Sequence, residues 1–342
     1  MTQGVLFALV MVLILALVAP VLVRPLLVRL NVLDISNERS SHTGSAIRGA
    51  GLAPLLSITV GFALLAAFGE TLVPALLLII LAVAFSSGAL GWFEDLRGVP
   101  LLLRAGLQLA IGVAGASMVV TASGGWWWTV PVFAIGVAGY INVANFMDGV
   151  NAMSGLHGAA VGAVFAVFGV ILDMPWLWMV GIVLALAFAG FLPWNLFGRG
   201  MFLGDVGSYL LGGSIGIIAV AAITNGVPVL SVLGPLVIYL ADAGATLGRR
   251  ILRGERWFEA HRGHTYQRLT DGGMSHLRVS SIVAGLSLVS GAVGIMNLML
   301  PEYWALWLVL LGAIAFGYLG FGAAFGRSAQ WHSEHIQKVR AS

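Results

Sequence analysis

The chain has 342 residues, 59% of them hydrophobic and only 9% charged, with a net charge of +3. A soluble domain carries about 25% charged residues, so this composition excludes a soluble core and describes a polytopic membrane protein. No cysteine is present, which rules out disulfides, thiolate metal sites and cysteine nucleophiles; any metal must be held through oxygen or imidazole, which favours a hard cation such as Mg²⁺.

A spanning helix needs about 20 apolar residues. In chain order the runs that meet this lie at roughly 4–23, 50–69, 72–92, 103–122, 129–144, 156–172, 175–193, 207–224, 228–247, 279–300 and 303–325. The expected fold is all-α, with about eleven transmembrane helices and no separate soluble domain, so 1–342 is taken as one transmembrane unit. The first run has no positive segment before it, and Arg24 and Arg29 follow it. It therefore reads as a retained first helix with its N-terminus outside, and not as a cleaved signal.

Lys and Arg set the expected orientation. All 17 of them fall on one side of the eleven-helix arrangement: at Arg24 to Arg48, Arg97 and Arg104, Arg199, Arg249 to Arg278, and in the tail from Arg327 to Arg340. That side is cytoplasmic by the positive-inside rule, and it receives the C-terminus and the polar loops 24–49, 94–102, 145–155, 194–206 and 248–278. The opposite loops carry only Glu70, Asp173 and Glu302 as charges, with Trp126, Trp127, Trp128, Trp176, Tyr303 and Trp304 as an aromatic belt.

Four polar clusters lie at this one face. Glu94-Asp95 ends the third run; adjacent carboxylates repel unless a cation lies nearby, although Arg97 could serve as a simple surface partner. Asn142, Asn145, Asp148, Gly149 and Asn151 follow the fifth run. Three amides and a carboxylate suit a polar ligand that both donates and accepts, whereas Asp148-Gly149 alone would be a turn. Phe202-Leu203-Gly204-Asp205-Val206-Gly207-Ser208 precedes the eighth run, where Asp205 could be a plain helix N-cap. His261-Arg262-Gly263-His264 through Arg268 forms an anion-binding surface, or a loop held at lipid headgroups. Arg39, His42 and Arg48, between the first two helices, read equally as phosphate contacts or as surface anchors. Asp242, inside the ninth run, is an intramembrane carboxylate that could orient neighbours such as Arg249.

Taken in order, Asn37–His42 with Arg48–Gly51, Gly91–Asp95, Asn142–Gly149, Phe202–Ser208 and His261–Arg268 resemble the polyprenyl-phosphate N-acetylhexosamine-1-phosphate transferases, glycosyltransferase family 4. The segment His261–Leu269 followed by Gly272–His276 looks like the branch that starts O-antigen and cell-wall polysaccharides, and lacks the triple-histidine run of the peptidoglycan-precursor translocases. Two positions depart from the family pattern: Glu94 replaces the first of two aspartates, and Ala50 interrupts the glycine run after Arg48.

The resemblance implies a transfer of sugar 1-phosphate from a UDP-N-acetylhexosamine to undecaprenyl phosphate, giving lipid-diphosphate-sugar and UMP at the cytoplasmic face of a bacterial inner membrane. It implies Asp95, Asp148, His261 and His264 as catalytic residues. Asp205 and Asp95 would be the ligands of Mg²⁺, with Mn²⁺ as the alternative ion. Asn142, Asn145, Asn151, Asn195, Phe202, Arg268, Arg39, His42 and Arg48 would bind substrate, with Phe202 stacked on uracil. The expected partners are the UDP-sugar and the bilayer lipid; a homodimer is compatible, and nothing points to nucleic acid. A membrane transporter or channel is the alternative class; it would place polar groups near the bilayer midplane. A CDP-alcohol phosphatidyltransferase would need an Arg in the pattern after Asp148-Gly149, where the chain has Val150-Asn151-Ala152-Met153.

Overall fold

Long apolar runs must satisfy their own backbone hydrogen bonds in lipid, so they become helices. The computed structural model describes residues 2–35, 45–68, 74–197, 201–256 and 262–341. In order come α1 (Gln3–Arg29), α2 (Leu52–Phe68), α3 (Pro74–Arg97), α4 (Leu101–Ala122), α5 (Val130–Met147), α6 (Met153–Ile171), α7 (Pro175–Leu196) and α8 (Gly204–Thr224). They continue with α9 (Val229–Leu233), α10 (Val237–Leu252), α11 (Thr265–Asp271), α12 (His276–Met299) and α13 (Trp304–Ala341).

Among the described residues ten helical spans are long and apolar enough to cross a membrane. The 17-residue α2 is a shorter apolar helix, and with it the eleven expected runs are all helical. The ninth is broken: α9 and α10 are joined by a 3₁₀ turn at Gly234–Leu236, where Pro235 lacks the N–H that a continuous helix would use. One feature lay outside the all-α expectation. In the first polar loop β1 (Leu33–Ile35) pairs antiparallel with β2 (Ser45–Ile47).

The bundle is organised around α8. Nearly all of its span is buried, with α3 and α5 packed along it. It can be central because its sequence is small: Gly204, Gly207, Gly212, Gly213 and Gly216 leave room for neighbouring backbones. By contrast residues 304–325 of α13, which packs against α11, α10 and α12, are mostly uncovered and include exposed Leu306, Leu308, Val309 and Phe316, a surface suited to lipid. Trp126, Trp127, Trp128, Tyr303 and Trp304 are exposed as a belt requires, but Trp176 is buried in the main apolar core and does not belong to it.

Candidate active site at one end of the bundle

The end of α3, the start of α8, the end of α5 and the segment before α2 meet at one place. The segment 47–51 runs beside 201–203: Phe202 N–H donates to the Ile47 carbonyl at 2.8 Å, Ala50 N–H to the Phe202 carbonyl at 3.0 Å and Gly51 N–H to the Leu203 carbonyl at 2.8 Å. This pairing fixes the backbone of Arg48 beside the start of α8. Its guanidinium then bridges two carboxylates, with Nε 2.7 Å from Asp95 Oδ1 and a terminal nitrogen 2.8 Å from Asp205 Oδ2. The Asp95 side chain is fully buried, and Asp205 is 14% exposed.

Asp95 has a second task. Its Oδ1 accepts from Asp205 N–H at 3.0 Å and its Oδ2 from Val206 N–H at 2.9 Å. These are two of the first N–H groups of α8, which have no partner inside the helix. A carboxylate on α3 therefore caps α8 in trans, where it also meets the positive end of the helix dipole. The possibility that Asp205 itself is the N-cap is corrected here: it occupies the first turn, and its own N–H is what Asp95 receives. The cap depends on Gly204 at φ +74°. A side chain there would be strained, and its Cβ would stand 2.6 Å from both Asp95 Oδ2 and Gly49 N.

With its backbone fixed, Asp205 turns its carboxylate toward α5. Asn145 donates through Nδ2 to Asp205 Oδ1 at 2.7 Å and to Ser208 Oγ at 3.1 Å. Asp148, just beyond α5, accepts from Ser154 Oγ at 2.6 Å. Burial pushes its carboxyl up to about 7, and the neighbouring charges of Asp205 and Asp95 push the same way against Arg48. The site thus gathers three carboxylates around one guanidinium.

Glu94 faces elsewhere. Its oxygens accept from Val99 N–H at 2.7 Å and pair with Arg104 at 2.9 Å, so the adjacent carboxylates separate and the surface partner is Arg104 in place of Arg97. Asn142 donates to Gln108 Oε1 at 2.7 Å and to the Ala138 carbonyl at 2.9 Å, which ties α5 to α4. Asn195 is a staple: Oδ1 accepts from Ala152 N–H at 2.5 Å and Nδ2 donates to the Met201 carbonyl at 3.1 Å. Asn151 is held through its backbone by His276 and Ser280. Phe202 is half-buried beside this staple.

His264 precedes α11 and is buried, with its ring centroid 6.2 Å from that of Phe146. The Tyr266 hydroxyl donates to the Phe146 carbonyl at 2.9 Å, so α11 docks on the turn that carries Asn145 and Asp148. Arg268 is half-buried on α11. Arg39, His42 and His261 lie outside the described residues. Ser154 was not foreseen, because a lone hydroxyl has no distinguishing spacing; Ser208 and Tyr266 fall inside the expected motifs but were given no role of their own.

The Asp148 carboxyl gives a signed expectation. Its value in the unfolded chain is near the ordinary 3.8 and its folded value is raised to about 7. The stability it contributes is therefore complete below the lower value and lost as pH rises through the upper one. In thermal unfolding without metal or nucleotide, Asp148→Asn should gain on the wild type between pH 5 and pH 8. A melting-temperature difference that stays constant over that range would contradict the raised value.

A multi-pass membrane protein with a carboxylate–guanidinium site at one end of its bundle is the class defined so far. Residues 76–223, which span α3 to α8 and hence Asp95, Asn145, Asp148 and Asp205, match the profile of glycosyl transferase family 4. The chain is 26% identical over 279 residues to a probable undecaprenyl-phosphate N-acetylglucosaminyl 1-phosphate transferase of Bacillus subtilis, covering 77% of this chain and 76% of that protein. It is 24% identical over 322 residues to an undecaprenyl-phosphate alpha-N-acetylglucosaminyl 1-phosphate transferase of Yersinia pestis, covering 86% of each. A phospho-N-acetylmuramoyl-pentapeptide-transferase of Desulforudis audaxviator matches at 29% over a shorter stretch, 46% of this chain and 55% of that protein. Over residues 76–223 the chain is thus similar to glycosyl transferase family 4.

Proposed function

We propose that this protein transfers an N-acetylhexosamine 1-phosphate from a UDP-sugar to undecaprenyl phosphate, releasing UMP, as the first step of O-antigen or cell-wall polysaccharide assembly. The observation that carries this reading is the convergence of Arg48, Asp95, Asn145 and Asp205 from four separate segments at one end of an apolar bundle. Sugar transferases acting on undecaprenyl phosphate match along most of the chain, whereas the pentapeptide transferase matches under half of it. That supports the polysaccharide-initiating branch. The one-sided Lys and Arg distribution supports a cytoplasmic site in the inner membrane, where a soluble nucleotide sugar and a bilayer lipid can meet.

The donor set suits Mg²⁺. No group of three His, Cys, Asp or Glu that could cage a metal occurs among the described residues, and Mg²⁺ commonly takes one or two protein carboxylates with waters and substrate phosphates. Asp205 suits such a role: each of its oxygens accepts one protein hydrogen bond and retains a lone pair. Asp95 suits it less, because it is fully buried and already receives Arg48, Asp205 N–H and Val206 N–H. When bound, the ion would neutralise phosphate charge.

In the proposed reaction a lipid phosphate oxygen forms a bond to the phosphorus that bears the sugar. The bond between that phosphorus and the bridging oxygen breaks, and UMP leaves with that oxygen. A phosphomonoester with a second pKa of about 6 is mostly dianionic at pH 7, so no general base is required. Asp95 then acts by holding α8 and Arg48 in place. Arg48, His264 and Arg268 would balance the charge of two anionic reactants. Purified protein with undecaprenyl phosphate, Mg²⁺ and a panel of UDP-sugars, UDP-GlcNAc first, should release UMP only when lipid and one UDP-N-acetylhexosamine are both present. Absence of UMP with every UDP-sugar, together with uptake of a solute by reconstituted vesicles, would overturn the proposal.

A further inference from the structure

An intramembrane carboxylate is by default a candidate for ion or proton passage. Asp242, on α10, is fully buried, yet its surroundings argue for another use. Oδ1 accepts from Thr265 N–H at 2.8 Å and from the Thr246 hydroxyl at 3.4 Å, and lies 3.3 Å from His264 Nδ1. Oδ2 accepts from Tyr266 N–H at 3.2 Å and from the Tyr318 hydroxyl at 2.7 Å. A carboxylate offers about four lone-pair sites, so these donors leave no vacancy for a travelling ion. Thr246, His264, Thr265, Tyr266 and Tyr318 are themselves buried.

The donors come from three places: α10 itself, the start of α11, and α13. Thr265 and Tyr266 supply the first two N–H groups of α11, so Asp242 holds that short helix as Asp95 holds α8. The Tyr266 hydroxyl carries the connection onward to the Phe146 carbonyl and rests against Gly149, flanking Asn145 and Asp148. A seven-residue helix is too short to be stable by itself; its position beside the site is set by these anchors.

We propose that Asp242 is a positioning residue for the transfer reaction: it fixes α11 so that His264, and through Tyr266 the Asn145–Asp148 turn, stand in reacting geometry, with Tyr318 of α13 as its supporting donor. This role rests on the transfer reaction proposed above. A displacement of about 1 Å at a site can cost about 10²-fold in rate. Asp242→Asn should therefore lower kcat for UMP release by about that factor, with the KM for the UDP-sugar changed less than about threefold. Tyr318→Phe, which removes one donor hydroxyl and keeps the ring in place, should lose about tenfold in kcat while the protein stays folded, with a melting temperature only slightly lowered.

Because Asp242 acts through α11, its loss should not multiply with that of His264→Gln; the double variant should be no slower than about threefold below the worse single variant. Fully multiplicative losses, or wild-type kcat in a folded Asp242→Asn protein, would overturn the role. If Asp242→Asn does not fold, Tyr318→Phe and its cycle with His264→Gln decide in the same way. A wild-type protein that releases no UMP from any UDP-sugar sinks the transfer reaction and this role with it. Normal wild-type turnover beside a silent Asp242→Asn sinks this role alone.

Discussion

Asp205→Asn should reduce UMP release by about 10³-fold while the protein stays folded. The substitution keeps the shape of the side chain and removes its charge at a carboxylate that combines partial exposure with spare acceptor capacity. Asn145 can still donate to the remaining amide oxygen, but the new NH₂ then faces the Arg48 nitrogen that stood 2.8 Å from Oδ2, and two donors repel. Arg48 remains anchored to Asp95, so the local backbone pairing with 201–203 survives. The defect should appear in turnover and in the apparent affinity for Mg²⁺ or Mn²⁺, not in the melting temperature. Near-normal turnover at limiting Mg²⁺ would remove Asp205 from the metal site.

Most of the fold was legible because lipid imposes a simple rule. An apolar run of about 20 residues has few options other than a helix, and all eleven expected runs are helices. The β1–β2 hairpin was not legible: three-residue strands inside a polar loop carry no periodicity that separates them from a loop. Trp176 misled for a related reason, since hydropathy gives the depth of a tryptophan but not whether it faces lipid or core.

For the site, residue type was more legible than role. The chain marks Asp95, Asn145, Asp148 and Asp205 by their company, and the structure brings them together. It could not mark that Asn142 and Asn195 spend their amides on Gln108 and on the Ala152 backbone, because those partners are 34 and 43 positions away in sequence. Nor could it show that Asp95 and Asp242 serve neighbouring helices. A side chain that caps its own helix has a local signature; one that caps another helix has none. Helix α8 begins after Leu203, whose side chain offers no cap; at α11 Gln267 accepts from His264 N–H at 3.1 Å, but the next two N–H groups go to Asp242. The polar machinery is thus held in place by carboxylates on α3 and α10, two spanning helices whose positions are fixed by packing.

Gly91→Ala should cost about 1–3 kcal/mol of stability and lower UMP release by more than about 10²-fold. Gly91 is buried where α3 crosses the start of α8, and an added methyl would be driven into the carbonyl group of Asp205 and stand 2.7 Å from Val206 N. Those neighbours are backbone atoms of a helix, so they cannot rotate aside as a flexible side chain could; the two helices must separate. Asp95 lies four residues beyond Gly91, on the same face of α3. Any separation therefore stretches its bonds to Asp205 N–H and Val206 N–H, now 3.0 and 2.9 Å, beyond useful hydrogen-bond length. Arg48 and Asp205 would lose their common anchor at the same time. Gly106→Ala on α4 is the matched control: it is exposed, with nothing within 4 Å of the added methyl, and should leave turnover unchanged and stability unchanged or slightly higher. Thermal unfolding and UMP release measured on both variants test the argument; a Gly91→Ala protein indistinguishable from Gly106→Ala would mean that close α3–α8 contact is not what holds the site.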